Sequence, residues 1–211
     1  MNSKLVLVGG GGHCASVIDT VLTSTEYKEI VITDNENIGK KLLGFPIVGT
    51  DDCLEELFQN GFTNAFITLG SIGNSNNRRK IYNHIKKIGF NIPNIIDKTT
   101  VVSKSVNLGE GIFIGKQAVV NSLASLGNNC IINTAAVIEH ECILGEFVHV
   151  APQAVLCGNT TVGDGSHIGA GSVVRQQITI GKNVIIGAGS VVVKNIPDGK
   201  TAYGNPCKEI K

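Results

Sequence analysis

The sequence predicts a two-domain protein. A small α/β domain, built like half of a Rossmann fold, is expected over residues 1–98, and a parallel β-helix over residues 99–211. Two observations predict this division. From Val102 to Val192 every sixth residue is Leu, Ile or Val, sixteen times without interruption. Before Val102 this period is absent, and strand-like apolar runs alternate with helical stretches instead.

The first domain has the strand–helix alternation that is typical of a parallel sheet with right-handed crossovers. We expect strands at residues 5–8, 29–33, 65–69 and 91–96. We expect helices at residues 15–22 and 77–87, the second of which is basic. The linker to the second domain is expected at residues 97–100.

A glycine run at residues 9–12 follows the first predicted strand and suggests a ligand site. Glycines let the backbone approach a phosphate or a sugar, and the helix that follows favours an anion at its N-terminus. With Ala15 and Asp34 the run formally matches a dinucleotide fingerprint, but four consecutive glycines produce such a match easily. Because fewer than 100 residues supply only half a dinucleotide-binding sheet, a nucleotide-sugar beside Asp34 and Asn35 fits better. The alternative is a glycine-rich turn that binds nothing.

The six-residue period predicts short strands that stack into a triangular column. Three hexapeptides form one coil, so residues 18 apart lie above one another. The aliphatic residue fills the axis, and the small or apolar residue four positions later, such as Ala118 or Ser172, fits near a corner. Glycine directly follows the aliphatic residue in eight repeats, where we expect the corner to require a positive φ.

Several residues expected on the outside of the column are apolar: Ile131, Ile143, Val155, Ile185 and Val191. One column cannot bury both faces of its sheets. We therefore expect a homotrimer with parallel column axes, since flat faces and cyclic symmetry close such a set. The alternative is a monomer with scattered exposed aliphatic residues.

Composition disfavours several classes of partner. The formal net charge is +1 and no Lys/Arg tract occurs, so we expect no nucleic acid and no anionic membrane surface as partner. No apolar run is long enough to span a membrane, and glycines interrupt the first one before it could form a signal peptide, so we expect a cytoplasmic protein. The six cysteines show neither metal-binding nor disulfide spacing; we expect them to be reduced, with no metal site. Cys157 as a catalytic thiol is the alternative.

His140 is the main candidate for chemistry on the β-helix. It is expected near a corner, between Glu139 and Glu141, and a carboxylate bonded to one ring nitrogen fixes the tautomer and raises the basicity of the other. Such a histidine can take a proton from a hydroxyl or an amine. Gly158, 18 residues later, leaves the next coil open beside it for an acyl group and offers a backbone N–H. The alternative is a solvated corner residue.

Two further histidines stack in the predicted column. His149 is half a coil from His140, so the two could share a site only across a subunit boundary. His167 is 18 residues beyond His149 and lies above it. Two stacked imidazoles could bind a metal, but no carboxylate joins them, so we expect them to pack at an interface.

These features resemble the left-handed β-helix acyltransferases. The hexapeptide series, the segment from Glu139 to Val150 and the tail from Ile196 to Lys208 carry the resemblance. More closely, the chain is similar to bacterial nucleotide-sugar N-acetyltransferases and their sialic acid O-acetyltransferase relatives, above all to the branch that acetylates a UDP-4-amino sugar in bacillosamine synthesis. The resemblance extends over essentially the whole chain.

The resemblance implies an acetyl-CoA-dependent enzyme with no tightly bound cofactor. It implies that His140 is the general base for the sugar amine and that Glu141 raises its basicity. The residues implied to line an acetyl-CoA groove between subunits are His149, Gly158, Ala170 and Ala188. The residues implied to hold the nucleotide-sugar are Gly11, Gly12, His13, Asp34, Asn35 and Gly70.

Two positions depart from that branch. Asn35 stands where it has a second Asp, which puts the nucleobase in doubt, and Cys207 stands where it has a small Ala. O-acetylation of a sugar such as sialic acid, with the same base, is the alternative activity. A non-catalytic assembly or sugar-sensing module is a third hypothesis, against which the two glutamates around His140 argue.

Overall fold

The computed structural model describes residues 3–24 and 27–210. The chain forms two compact units, the first made of Met1–Gly70 and Asn76–Ile95, the second of Ser71–Ser75 and Ile96–Lys211. The sequence predicts a single boundary after residue 98. The structure differs in assigning Ser71–Ser75 to the second unit, although this segment lies far from the rest of that unit in sequence.

The first unit contains a five-stranded sheet, which we call sheet I. Its strands are β1 (Lys4–Val8), β2 (Glu29–Thr33), β3 (Lys41–Leu42), β4 (Phe45–Gly49) and β5 (Asn64–Ile67). Their order is β3-β4-β2-β1-β5, and only β3 runs antiparallel to its neighbour. Because β1 lies between β2 and β5, its residues 5–8 are buried, as is usual for parallel strands that are covered on both faces.

Three α-helices accompany the sheet: α1 (Gly12–Ser24), α2 (Leu54–Gln59), which follows a 3₁₀ turn at Asp51–Cys53, and α3 (Asn76–Ile88). Leu54 of α2 and Ile85 of α3 pack with Val6 and Val8 of β1 in the core. No helix in the described parts of the chain is long and apolar enough to cross a membrane.

The predicted elements β1, β2, β5, α1 and α3 are confirmed, with ends that differ by a few residues. The sequence did not reveal β3, β4 and α2. Pro46 and flanking glycines obscure β4, and α2 has only six residues, too few for a helical period to be visible. The predicted strand at residues 91–96 is confirmed only at its end: Asn91 makes one isolated bridge to Asn64, and β6 covers Ile95–Ile96 alone.

The second unit is a parallel β-helix of two-residue strands. In chain order these are β7 (Val101–Val102), β8 (Asn107–Leu108), β9 (Phe113–Ile114), β10 (Val119–Val120), β11 (Ser125–Leu126), β12 (Ile131–Ile132), β13 (Val137–Ile138), β14 (Ile143–Leu144), β15 (His149–Val150), β16 (Val155–Leu156), β17 (Thr161–Val162), β18 (His167–Ile168), β19 (Val173–Val174), β20 (Thr179–Ile180), β21 (Ile185–Ile186) and β22 (Val191–Val192). Two final strands, β23 (Thr201–Tyr203) and β24 (Lys208–Glu209), end the column.

Every third strand belongs to the same sheet. Sheet II contains β7, β10, β13, β16, β19 and β22; sheet III contains β8, β11, β14, β17 and β20; sheet IV contains β6, β9, β12, β15, β18, β21, β23 and β24. From β7 to β22 paired residues of neighbouring strands are 18 positions apart, as Val119 and Val137 are. The predicted coil of three hexapeptides is therefore confirmed.

The axis of the column is filled as the period predicts. From Ile114 to Val192 each aliphatic residue of the series is buried, whereas Val102 and Leu108 at the open end are half-buried. Apart from half-buried Val106, the small or apolar residues near the corners are buried as well, and the hydroxyls of Ser166 and Ser172 donate to the next coil. The Ser166 hydroxyl donates to the Gly181 carbonyl at 2.7 Å. In the structure the six cysteines are unpaired, and their reduced state stays a prediction from the sequence.

The glycines that follow the aliphatic residues serve a different purpose from the predicted one. None of these eight glycines, all within the described residues, has a positive φ. Positive φ occurs instead at the third residue after the aliphatic one, and it does so for many residue types. Glu141, for example, has a φ of 60°. A Cβ on Gly127 would lie 2.7 Å from the backbone carbon of Gly145 in the next coil. These glycines are therefore needed for close stacking of coils rather than for left-handed backbone.

The outward faces of the three sheets differ. The first residue of every strand in sheet II is a valine; this valine ladder consists of Val101, Val119, Val137, Val155, Val173 and Val191. All six are half-buried or exposed. Sheet III presents mainly Asn, Ser and Thr. Sheet IV is covered by the Ser71–Ser75 segment, since a Cβ on Gly73 would collide with Ile185.

Candidate active site

His140 lies at the corner between sheets II and III, directly after β13. Its Nδ1–H donates to Oε2 of Glu141 at 3.0 Å. A carboxylate can only accept, so the hydrogen is on Nδ1 and the neutral ring carries its lone pair on Nε2. The side chains of His140 and Glu141 are 59% and 55% exposed, so Nε2 can be reached from solvent.

The corner backbone makes this contact possible. Neighbouring residues of an extended strand point in opposite directions, so their side chains do not meet. Glu141 adopts φ 60°, and the turn brings its carboxylate back to the preceding imidazole. Glu139 stays close to the backbone on the other side, where the His140 N–H donates to its Oε2 at 3.4 Å.

Gly158 lies in the next coil, stacked against the imidazole. A Cβ at this position would lie 2.5 Å from Nε2 and 2.6 Å from Cε1 of His140. Only glycine therefore allows the observed ring position. Within the described chain the Gly158 N–H donates no hydrogen bond, whereas the next amide, that of Asn159, donates to the His140 carbonyl at 2.8 Å. The predicted proximity of His140, Glu141 and Gly158 is present in the structure.

A cavity of about 150 Å³ opens at this corner. Besides His140, Glu141 and Gly158, its lining includes Asn159, Gln176 and Gln177. The two glutamines were missed by sequence reasoning. The 18-residue spacing could have located them, because Gln176 is 36 residues after His140 and thus lies two coils above it.

A larger cavity, of about 300 Å³, lies higher on the column at the C-terminal end. Lys194, Cys207 and Lys208 contribute to its lining. Lys194 is two coils above Gly158 at the same corner, since it follows Gly158 by 36 residues. These two lysines were also missed, because they stand singly in the sequence.

Ala170 and Ala188 stack upon one another at a different corner, the one between sheets IV and II. Both are exposed. Sheet II separates this corner from the corner of His140 and Gly158. One protomer therefore does not bring the predicted acetyl-CoA residues together.

His149 and His167 project from the outer face of sheet IV. The Nδ1–H of His149 donates to the Ser71 carbonyl at 2.9 Å, and its ring meets that of His167 edge-on, with centroids 4.8 Å apart. His167 is only 7% exposed. Burial, and then the proximity of His149, lowers the pKa of His167 to about 4. The pair thus packs beneath the protein's own Ser71–Ser75 segment. Among the described residues no group of three or more His, Cys, Asp or Glu side chains is placed to hold a metal.

The first unit has its own cavity, of about 280 Å³, at the carboxyl edge of its sheet. Its lining consists of Val8, Gly9, Thr33, Asp34, Asn35, Asp51, Leu69, Asn77, Lys80 and Ile81. Some of these residues lie at or just after the carboxyl ends of β1, β2, β4 and β5. The others lie in the first turns of α3. Ligands of open α/β sheets bind at this edge, where chain connections diverge to either side of a strand.

The predicted sugar-nucleotide residues are distributed unevenly around this cavity. Asp34 and Asn35 line it. The Asp34 carboxylate accepts the Gly10 N–H at 2.5 Å and the Glu36 N–H at 2.7 Å, which also shapes the loop.

The remaining predicted residues stand outside its lining: Gly11, Gly12, His13 and Gly70. A Cβ on Gly11, Gly12 or Gly70 would meet open space, so packing does not require glycine at these three positions. His13 lies half-buried in the first turn of α1. Asp51 and Lys80 line the cavity and were missed.

Two family models match parts of the chain. A model described as the PglD N-terminal domain matches residues 4–85, and one described as bacterial transferase hexapeptide (six repeats) matches residues 159–194. Among curated proteins none matches the chain.

Solved structures are similar over the whole length. The acetyltransferase domain of PglB from Neisseria gonorrhoeae, in complex with acetyl coenzyme A, is 39% identical with a TM-score of 0.94, and 100% of each chain is covered. PerB from Caulobacter crescentus, in complex with CoA and GDP-perosamine, is 35% identical with a TM-score of 0.91; 100% of this chain and 99% of that chain are covered. WeeI from Acinetobacter baumannii is 26% identical with a TM-score of 0.86, covering 99% of this chain and 100% of that chain.

Proposed function

Because this chain belongs to the family of left-handed β-helix nucleotide-sugar N-acetyltransferases, we propose that it transfers an acetyl group from acetyl-CoA to the amine of a nucleotide-linked amino sugar. Acetyl-CoA is the co-substrate, and a UDP-4-amino-4,6-dideoxy sugar is our proposed acceptor. The similar PglB domain contains acetyl coenzyme A, and the similar PerB contains CoA and GDP-perosamine, which supports both substrate classes.

His140 acts as the general base in this proposal. As the sugar nitrogen attacks the thioester carbon, Nε2 takes the proton that the nitrogen loses. The C–N bond forms and the C–S bond breaks. The proton then passes from Nε2 to the CoA thiolate, so His140 returns to its starting state without an acyl-enzyme. The observation that carries the proposal is the contact of Nδ1 with the Glu141 carboxylate, which leaves Nε2, beside Gly158, as the nitrogen that can accept a proton.

The Gly158 N–H supplies the second element of the reaction. Negative charge develops on the thioester oxygen during attack, and a preorganised backbone donor stabilises it. This amide is unoccupied within the described chain and adjoins Nε2. The lysines of the upper cavity, Lys194 and Lys208, are suited to the phosphates of CoA, because cations attract phosphate oxygens.

We propose a homotrimer as the active form. The valine ladder offers a continuous apolar face on sheet II, while sheet III is polar and sheet IV is already covered. A neighbouring protomer on the ladder can contribute Ala170, Ala188 and His149 opposite His140, which a single protomer does not. The cytoplasmic location stays a prediction from the sequence.

A thiol-release assay with acetyl-CoA tests this function. The acceptor panel contains UDP-, dTDP- and GDP-linked amino sugars and free sialic acid. We expect release of CoA thiol with a UDP-amino sugar, and His140→Ala to lower the rate by about a hundredfold or more while the fold is unchanged. Turnover only on free sialic acid would indicate O-acetylation, the alternative activity. No turnover on any acceptor would favour a non-catalytic module, and unchanged turnover in the variant would exclude His140 as the base.

A further inference from the structure

The peptide bond between Cys157 and Gly158 carries the N–H that the proposed reaction uses. We propose that Thr160 is a positioning residue that acts through this peptide: its hydroxyl polarises the carbonyl, which makes the N–H a stronger donor to the thioester oxygen. The proposal rests on the proposed function and adds to it a buried residue that supports the oxyanion donor from inside the column.

The Cys157 carbonyl accepts hydrogen bonds from two side chains. The Thr160 hydroxyl donates to it at 2.6 Å, and the Cys142 thiol donates to it at 3.3 Å. The Arg175 carbonyl, 3.4 Å from the same hydroxyl, is the more distant acceptor. Because a carbonyl oxygen has two lone pairs, it accepts both side-chain bonds at once.

Both donors are buried. Thr160 and Cys142 are 0% exposed, so water does not compete for the carbonyl, and hydrogen bonds in such an interior are electrostatically stronger than in water. Burial also raises the pKa of the Cys142 thiol, which therefore keeps its hydrogen at neutral pH. The carbonyl stays bonded to Cys142 when the Thr160 hydroxyl is removed, so this removal leaves no buried carbonyl without a partner.

The N–H of the same peptide is turned away from these donors. The peptide is trans, and in a trans peptide the carbonyl and the N–H point in opposite directions. The amides on either side are bonded to neighbouring coils, that of Cys157 at 3.0 Å and that of Asn159 at 2.8 Å. The coil stack thus fixes the direction of the Gly158 N–H before any substrate binds, as electrostatic stabilisation of an oxyanion requires.

The size of the effect follows from two general magnitudes. Loss of a whole oxyanion donor lowers kcat by about a hundredfold to a thousandfold. A hydrogen bond that polarises a second one strengthens it by about 10–30%. Applied to the logarithm of the rate, this fraction predicts a loss of about fivefold in kcat when the Thr160 hydroxyl is removed.

Steady-state kinetics of the full-length protein with acetyl-CoA and a UDP-amino sugar test the proposal. Thr160→Val keeps the shape of the side chain and should lower kcat about fivefold while KM for acetyl-CoA is unchanged, because the N–H acts on charge that develops during attack. Thr160→Ser retains the hydroxyl and should have the kcat of the native protein. Ser166→Ala is the matched control and should leave kcat unchanged, since its hydroxyl donates to the Gly181 carbonyl at the corner between sheets III and IV.

Nuclear magnetic resonance separates polarisation of the peptide from a role in packing. Cys157 and Gly158 form the single Cys–Gly pair of the sequence. Protein labelled with carbonyl-¹³C cysteine and ¹⁵N glycine therefore gives one carbonyl–amide correlation, from this peptide. In Thr160→Val both its ¹³C and its ¹⁵N resonance should move upfield, because the carbonyl accepts one hydrogen bond fewer. In Ser166→Ala both should stay in place.

Three results would overturn the proposal while thiol release by the native protein still supported the proposed function. These are an unchanged kcat in Thr160→Val, unchanged resonances in Thr160→Val, and a loss of kcat that Thr160→Ser shares. The last would show that packing, and not the hydroxyl, sets the rate. If the native protein releases no CoA thiol with any acceptor, the role of Thr160 is overturned together with the proposed function.

Discussion

At the scale of single residues, the contact between His140 and Gly158 is the most informative. The neighbouring imidazole requires glycine at position 158, because a Cβ there would lie 2.5 Å from Nε2. Gly158 does not have a positive φ, so alanine is permitted by the backbone. Substitution therefore perturbs the His140 ring selectively.

We predict that Gly158→Ala lowers kcat by about a hundredfold, since the imidazole must turn away from its position. The exposed ring can move, so the free energy of unfolding should fall by only about 1 kcal/mol. Steady-state kinetics and chemical denaturation measure the two effects.

A double-mutant cycle with His140→Ala is the control. Once the ring is absent, adding Gly158→Ala should cost little further activity. Equal losses in both backgrounds would mean that Gly158 acts independently of His140.

The sequence revealed this corner because the residues involved are either adjacent or one period apart. Glu141 is next to His140, and Gly158 follows by one coil. The cavity of the first unit was less accessible. Asp51 follows a strand that a proline and glycines concealed, and Lys80 is one of several basic residues on α3. Without the packing of that helix, nothing in the sequence distinguishes Lys80 from Lys86 or Lys87.

At the scale of elements, the corners of the β-helix show what a period can and cannot predict. The positions of the strands follow from the aliphatic residue alone, because it must fill the axis. The conformation of the turn does not. Left-handed backbone occurs at the third residue after the aliphatic one, where Gln117, Glu141 and Asn159 stand, so the residue type gives little indication.

The cover over sheet IV also could not be predicted. Ser71–Ser75 lies outside the repeat and carries no signal for packing against it. In the structure His149 binds the Ser71 carbonyl, and His167 is buried beside it. The two histidines, for which the sequence suggested packing at a subunit interface, thus contact a segment of their own protomer.

Burial of His167 predicts a specific pH dependence of stability. Its pKa is about 4 in the folded protein, against about 6.5 when unfolded. Between these values the unfolded state binds a proton that the folded state does not, so the free energy of unfolding falls as the pH drops from 6.5 to 4. Above pH 6.5 the effect is absent. The loss should be up to about 3 kcal/mol.

Chemical denaturation at pH 7.5 and pH 5, at fixed protein concentration, measures this loss. His167→Gln should reduce the difference in stability between the two pH values. His84→Gln, at an exposed position of α3, is the matched control and should preserve it. An unchanged difference in His167→Gln would show that other groups cause the pH dependence.

At the scale of the whole molecule, the sequence predicted both folds and their order along the chain. A hydrophobic period that repeats sixteen times predicts the β-helix. The alternation of strands and helices predicts the α/β fold of the first unit. The sequence predicted only in part which outer face of the column is apolar. Ile131 was expected on the outside, yet it is 2% exposed, and the exposed ladder of sheet II consists of valines.

We predict that Val155→Lys in the valine ladder prevents trimer formation, because a charge would be buried between protomers. Light scattering should give the mass of one protomer, circular dichroism should be unchanged, and acetyl transfer should be lost with the shared site. Thr161→Lys, on polar sheet III, is the control and should remain trimeric. A native protein that is monomeric, or an active trimer of Val155→Lys, would contradict the proposed assembly.

The 18-residue register limits how this half of the protein can change during evolution. Inserting or deleting one hexapeptide between His140 and Gly158 would turn every later residue by one side of the triangle and move the glycine away from the imidazole. A complete coil gained or lost beyond Gly158 leaves that pair in place. Descendants that retain the contact between His140 and Gly158 should therefore differ in column length by whole coils, added or removed beyond Gly158.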